Sequence, residues 1–94
     1  MYLQAYDVSM LTNDIVSIVK NKSFQTNYMF EQAINSIDDR YADEVISSCL
    51  DRLLKVDDSL QQLFITTILE QSNPKIKKVL VHVLMKKFAQ LASG

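Results

Sequence analysis

The amino-acid sequence predicts an all-α fold, an antiparallel bundle of four to five short helices. The chain of 94 residues contains one Gly and one Pro, so the positive-φ turns that β-hairpins need are scarce. Apolar residues recur at three- and four-residue spacing through most of the chain, which is the period of an amphipathic helix. We therefore expect a single helical domain over residues 1–94, with helices joined by short links.

The segment 74–92 is predicted to be the central helix of this bundle. Asn73 is a favourable N-cap, and Pro74 falls at the first helical position, where a missing N–H costs nothing. A helix whose apolar arc exceeds half the circumference is expected to be surrounded by partners. That arc contains Ile76, Val79, Leu80, Val83, Leu84, Phe88 and Leu91, widened by Val81 and Met85.

The first helix is expected to begin near Ser9 or Thr12 and to end near residue 20. Residues 1–8 are apolar without clear periodicity. They form either an N-terminal arm packed on the bundle or an early helical turn.

A second helix is expected to open at Ser23 or Thr26, but its end is ambiguous. The apolar rhythm continues to Leu53 without Gly or Pro, so residues 26–55 form either one long helix or two. We favour a break at residues 36–39, because a single helix would span about 45 Å and overhang the bundle. Ser36 and Asp39 have the spacing of a capping box.

The next two helices are predicted over residues 39–55 and from Asp58 to about residue 71. Asp58 and Gln61 form a capping-box-like pair at the start of the later helix. The short link before Pro74 predicts an antiparallel hairpin with the last helix. The apolar face of helix 39–55 contains Tyr41, Ala42, Val45, Ile46, Cys49, Leu50 and Leu53, and that of the following helix contains Leu60, Leu63, Phe64, Ile65, Ile68 and Leu69.

Charge is distributed unevenly along the chain, although the formal net charge is −1. Residues 1–72 carry five basic groups and all eleven acids, whereas residues 73–94 carry five lysines and no acid. Attraction between the two parts is one explanation, and a charged partner is the other. Two candidate interaction surfaces follow, a basic stripe of Lys75, Lys78, His82 and Lys86 and an acidic surface of Asp38, Asp39, Asp43, Glu44 and Asp51.

The inventory of reactive groups predicts no catalytic residue, cofactor, metal site or small-molecule substrate. A single His excludes sites built on two imidazoles, and a single Gly at position 94 excludes a glycine-rich phosphate loop. The lone Cys49 is expected to be a buried apolar residue. No apolar run is long enough to cross a membrane, and no secretory signal is evident, so we expect a cytoplasmic protein.

These features favour a non-enzymatic regulatory or adaptor protein that binds another protein or a second copy of itself. One variant is an inhibitor that presents the acidic surface to a basic partner, and in size and composition it is similar to small regulators encoded by phages and mobile elements. Val81 and Met85 are a candidate apolar interface if the bundle leaves them uncovered. The alternative is a nucleic-acid-binding protein that uses the basic stripe, although lysines without arginines position phosphates rather than specify bases.

Overall fold

The structure, a computed structural model, describes residues 2–21, 28–71 and 74–93. Within these ranges there are five α-helices and no strand, so the predicted all-α helical bundle is confirmed. The α-helices are α1 (Tyr2–Lys20), α2 (Tyr28–Asn35), α3 (Ala42–Val56), α4 (Asp58–Gln71) and α5 (Pro74–Ser93), and a 3₁₀-helix (Asp39–Tyr41) precedes α3.

The start predicted for the first helix was wrong, because α1 begins at Tyr2 rather than near Ser9 or Thr12. The residues of the proposed arm that the structure describes are therefore helical. Thr12 is buried in the interior of α1 instead of capping its end. The other predicted caps, Ser23, Thr26 and Asn73, lie outside the described residues.

A break between α2 and α3 is confirmed, but its capping residue is Asp38 rather than Ser36. The Asp38 carboxylate accepts hydrogen bonds from the backbone N–H of Arg40 at 2.9 Å and from its guanidinium at 3.0 and 3.1 Å. Ser36 is engaged elsewhere, since its hydroxyl donates to the carbonyl of Gln32 at 2.8 Å. A hydroxyl bonded back to the preceding turn is not available as an N-cap.

A single residue, Asp57, links α3 to α4. Its N–H donates to the carbonyl of Leu53 at 2.9 Å and ends α3, while its carboxylate accepts from the N–H of Ser59 at 3.0 Å and caps α4. Gln61 does not complete the predicted capping box, because its side-chain amide donates to the carbonyl of Leu50 at 3.0 Å. This bond ties the first turn of α4 to α3, so the two helices form an antiparallel hairpin.

The central helix of the bundle is α3, which packs against α1, α4 and α5. All of its predicted apolar face is buried, from Tyr41 to Leu53. Neighbouring helices complete the core, and Phe30 of α2 meets Phe64 of α4 edge to face, with ring centroids 6.1 Å apart. The other buried apolar residues are Ile15, Val16, Val19, Ile34, Ile37, Leu60, Ile68, Ile76, Leu80 and Val83.

The prediction that residues 74–92 form the central helix was wrong. Of its predicted face only Ile76, Leu80 and Val83 are buried, whereas Phe88 and Leu91 are exposed. The reason is geometric: α5 packs against α3 and α4 on one side, so only the part of its apolar arc that faces them is covered.

The Thr12 hydroxyl is buried in the core near the thiol of Cys49. By distance and angle this hydroxyl has no hydrogen-bond partner. Its closeness to the thiol lowers the pKa of Cys49, against the larger effect of burial. Burial raises the pKa of Cys49 to about 12. The thiol is therefore protonated at neutral pH and acts as a small apolar residue, as the sequence predicted.

We expect Leu50→Ala to lower the free energy of unfolding by about 2–5 kcal/mol, because it leaves a cavity in the centre of α3's packing surface. Phe88→Ala is the matched control on α5 and should change it by no more than about 0.5 kcal/mol. Urea denaturation followed by circular dichroism measures both. A larger cost for Phe88→Ala than for Leu50→Ala would restore α5 as the central helix.

Thr12→Val is expected to stabilise the protein by about 1 kcal/mol, because it removes a buried hydroxyl that lacks a partner. The control is Thr67→Val in α4, where the buried hydroxyl donates to the carbonyl of Leu63 at 2.7 Å. The control exchanges the same atoms but loses a hydrogen bond, so it should be neutral or destabilising. Equal effects of the two substitutions in thermal denaturation would contradict this account of Thr12.

Candidate functional site

The predicted acidic surface and basic stripe lie against each other within the protein. Lys75 Nζ contacts Asp39 Oδ2 at 2.7 Å, and this hydrogen bond and the nearby charge raise the pKa of Lys75 above its usual value. At the next contact, His82 Nε2 and Lys86 Nζ lie 3.9 and 3.6 Å from Asp43 Oδ2. The uneven charge along the sequence is therefore largely matched inside one molecule.

A further ion pair shows the relative direction of α3 and α5. Lys87 Nζ lies 2.6 Å from Asp51 Oδ1, although Lys87 was not part of the predicted stripe. As the carboxylates advance from Asp39 to Asp51, their partners advance from Lys75 to Lys87. The two helices thus run in the same direction, each antiparallel to a connecting α4. Such exposed pairs contribute little energy each, but they select one register over its alternatives.

Two members of the predicted acidic surface lie outside this contact with α5. Asp38 pairs with Arg40 at 3.0 Å, and its carboxylate caps the 3₁₀-helix. Glu44 is exposed and has no ion pair with the described residues. The structure therefore divides the five acids between α5, a helix cap and solvent.

Lys77 and Lys78, one turn before Val81, have no ion pair with any described carboxylate. Lys78 is exposed and Lys77 is half-buried. Because Lys75, Lys86 and Lys87 are matched by carboxylates of the 3₁₀-helix and α3, this lysine pair is the positive charge of α5 that remains uncompensated among the described residues. The predicted basic stripe included Lys78 but not Lys77.

The largest exposed apolar feature of α5 begins next to the lysine pair. Its side chains follow one another at three- or four-residue spacing and lie within about 120° of the helix circumference. We call them the α5 stripe: Val81, Met85, Phe88 and Leu91, which are 47%, 67%, 74% and 78% exposed. Val81 and Met85 were predicted as a candidate interface, whereas Phe88 and Leu91 were predicted to lie in the core.

At its first turn, the α5 stripe forms the floor of a shallow depression of about 340 Å³. Val81 and Met85 supply the apolar floor, and Lys77, Lys78 and His82 surround it. The opposite side of α5 is anchored in the bundle through Ile76, Leu80 and Val83. The apolar surface is therefore held on a helix whose position is fixed by the core.

The one cysteine and the one histidine of the chain lie in different environments. Cys49 is fully buried beside Thr12, whereas His82 is exposed next to Asp43. In the part of the chain that the structure describes, no group of three or more His, Cys, Asp or Glu side chains is placed to hold a metal ion. In the same part, no helix is long and apolar enough to cross a membrane.

Asp38→Asn should destabilise the protein at neutral pH but not in acid. Hydrogen bonds from the Arg40 side chain and backbone hold the pKa of Asp38 below its ordinary value of 3.8, so the folded state favours the carboxylate. This stabilisation is present above the unfolded-state pKa and is lost as pH falls through the lower folded-state pKa. Asn keeps a cap acceptor, which isolates the effect of charge.

The measurement is the urea midpoint of both proteins as the pH is lowered from about 6 towards about 2, which shifts the carboxylate towards its protonated form. The difference between them should shrink at the lower pH. A difference that stays constant would show that the Asp38 charge has no role in stability.

No protein-family model, curated protein or solved structure matches this chain. The basis for a functional proposal is therefore the geometry of the described residues, above all the α5 stripe and its neighbouring lysine pair.

Proposed function

We propose that this protein is a non-enzymatic binding module, regulatory or adaptor in kind, that takes an amphipathic helix of a partner protein on the α5 stripe. The observation that carries the proposal is the exposure of four large apolar side chains in a row on a helix anchored in the core. Contiguous apolar surface of this kind is rarely left open on a monomer and is typical of interaction sites.

The dimensions and the chemistry of the α5 stripe suit a helical partner. From Lys77 to Leu91 the helix rises by about 21 Å, which corresponds to about four turns. An amphipathic helix recognises such a surface through anchors spaced three and four residues apart. Met and Phe, the residue types at positions 85 and 88, are enriched in protein–protein interfaces relative to the rest of the protein surface. Because α5 is already ordered by the bundle, little conformational entropy is lost on its side when the partner binds.

The two surfaces predicted from charge have less support than the α5 stripe. Asp39, Asp43 and Asp51 are matched by basic residues of α5, so an inhibitor that presents them to a basic protein would first have to break these contacts. Nucleic-acid binding would depend mainly on Lys77 and Lys78, and two phosphate contacts supply only a modest, salt-sensitive affinity. The proposal retains a cytoplasmic location, since the one cysteine offers no intramolecular disulfide.

A selection of helical peptides displayed on phage tests the proposal. Peptides selected on the wild-type protein should bind Phe88→Ser at least tenfold more weakly, because the substitution removes a central apolar contact. The matched control is Leu54→Ser, which changes an apolar residue of α3 that is 50% exposed. The control should bind the same peptides with unchanged affinity, as measured by fluorescence anisotropy.

Circular dichroism of the two variants ensures that a loss of binding is not a loss of folding. Phe88 is exposed, so its replacement should leave the helical signal intact. Selection of no peptide, or equal binding to wild-type and Phe88→Ser proteins, would overturn the proposed function.

A further inference from the structure

We infer that the partner helix is acidic at one end, with carboxylates against Lys77 and Lys78 and apolar side chains along Val81 to Leu91. The inference rests on the proposed function and adds the chemistry and the polarity of the partner.

Lys77 and Lys78 give the site its positive charge. Lys77 and Lys78 precede Val81 by four and three residues, so they lie one turn away on either side of the stripe. Both line the depression whose floor is Val81 and Met85. A helix seated on that floor brings its own flanking residues against the two ammonium groups.

Ion pairs inside the protein compensate other lysines but not this pair. Lys75 and Lys87 lie 2.7 and 2.6 Å from carboxylates, and Lys86 lies 3.6 Å from one. Lys77 and Lys78 have no such contact among the described residues. Acidic side chains on a partner would supply the missing carboxylates and would favour it over neutral or basic helices.

The far end of the stripe has the opposite character. Residues 88–94 contain no charged side chain, so Phe88 and Leu91 offer apolar contact without charge. A partner helix that is acidic along its whole length would leave carboxylates at this end without partners, at a cost in desolvation. The complementary helix therefore has its acids confined to the end beside Lys77.

A second copy of this chain matches the stripe less well than an acidic helix. Residues 73–94 contain no acid, so two α5 stripes packed together would bury apolar surface but offer no carboxylate to either lysine pair. Charge complementarity thus favours a different protein as the occupant. Size-exclusion chromatography with light scattering tests the alternative directly.

The decisive experiment is a parallel selection of displayed helical peptides on the wild-type protein and on Lys77→Glu/Lys78→Glu. In the library, the positions that flank the apolar anchors are randomised. We expect Asp and Glu to be enriched at one end of peptides selected on the wild type, and Lys and Arg at the same end on the charge-reversed variant. Wild-type binding should weaken at least threefold when salt is raised from about 50 to about 500 mM, where the screening length falls below about 5 Å.

The matched control is Lys20→Glu/Lys55→Glu, which changes the net charge equally at two exposed lysines outside α5. It should select the same acidic peptides as the wild type. Acidic enrichment lost equally in both double variants would show an effect of overall charge, and it would overturn the inference.

The outcomes separate this inference from the proposed function. Peptides that require Phe88 but have neutral ends, or that are the same for the wild type and the Lys77→Glu/Lys78→Glu variant, would overturn the inference and leave the binding module standing. Absence of any peptide that requires Phe88 would overturn both. A dimer of the free protein that Phe88→Ser converts to a monomer would identify a second copy as the occupant and overturn the acidic helix.

Discussion

The burial of one face of α3 is the constraint on which the rest of the structure depends. This helix packs against α1, α4 and α5, and the six apolar residues of this face lie at zero or near-zero exposure: Ala42, Val45, Ile46, Cys49, Leu50 and Leu53. Asp57 then turns the chain so sharply that α4 must pack back on α3, and the bond from Gln61 to the Leu50 carbonyl holds its first turn there. Asp38 caps the 3₁₀-helix that leads into α3, so both the entry to α3 and its exit are held by hydrogen bonds of Asp residues.

Charge then determines how α5 lies on this framework. Hydrophobic contact through Leu80 and Val83 is non-directional and would tolerate several registers. The pairs Asp39–Lys75 and Asp51–Lys87 favour one of these registers, in which Lys86 also lies near a carboxylate, that of Asp43. The acids of the first part of the chain are thus paired with lysines of α5 in the folded protein. These exposed pairs contribute little energy each, and their effect is to favour one register of α5.

The sequence predicted the all-α class, the break between α2 and α3 and every buried apolar residue of α3, because these depend on local periodicity and chain length. It could not predict how many neighbours a helix has. For that reason Phe88 and Leu91 were assigned to the core, although a wide apolar arc describes only what a helix offers for packing. The partners of Lys75 and Lys87 could not be predicted either. Each lies 36 residues away in sequence, so the pairing depends on how the two links between α3 and α5 place these helices. Thr12 was assigned a cap because its hydroxyl is polar, and only tertiary packing placed it in the core.

The two apolar sectors of α5 explain why this helix is the site of a proposed interface. One set of apolar residues, Ile76, Leu80 and Val83, is buried against the bundle and holds the helix in place. The α5 stripe repeats the same three- and four-residue spacing but is 47–78% exposed, so it contributes less to the stability of the monomer. Covering exposed apolar side chains lowers the free energy, and these four side chains remain largely uncovered in the monomer. The wide arc that suggested a central helix is therefore only partly covered by α3 and α4, and the proposed partner helix would cover the remainder.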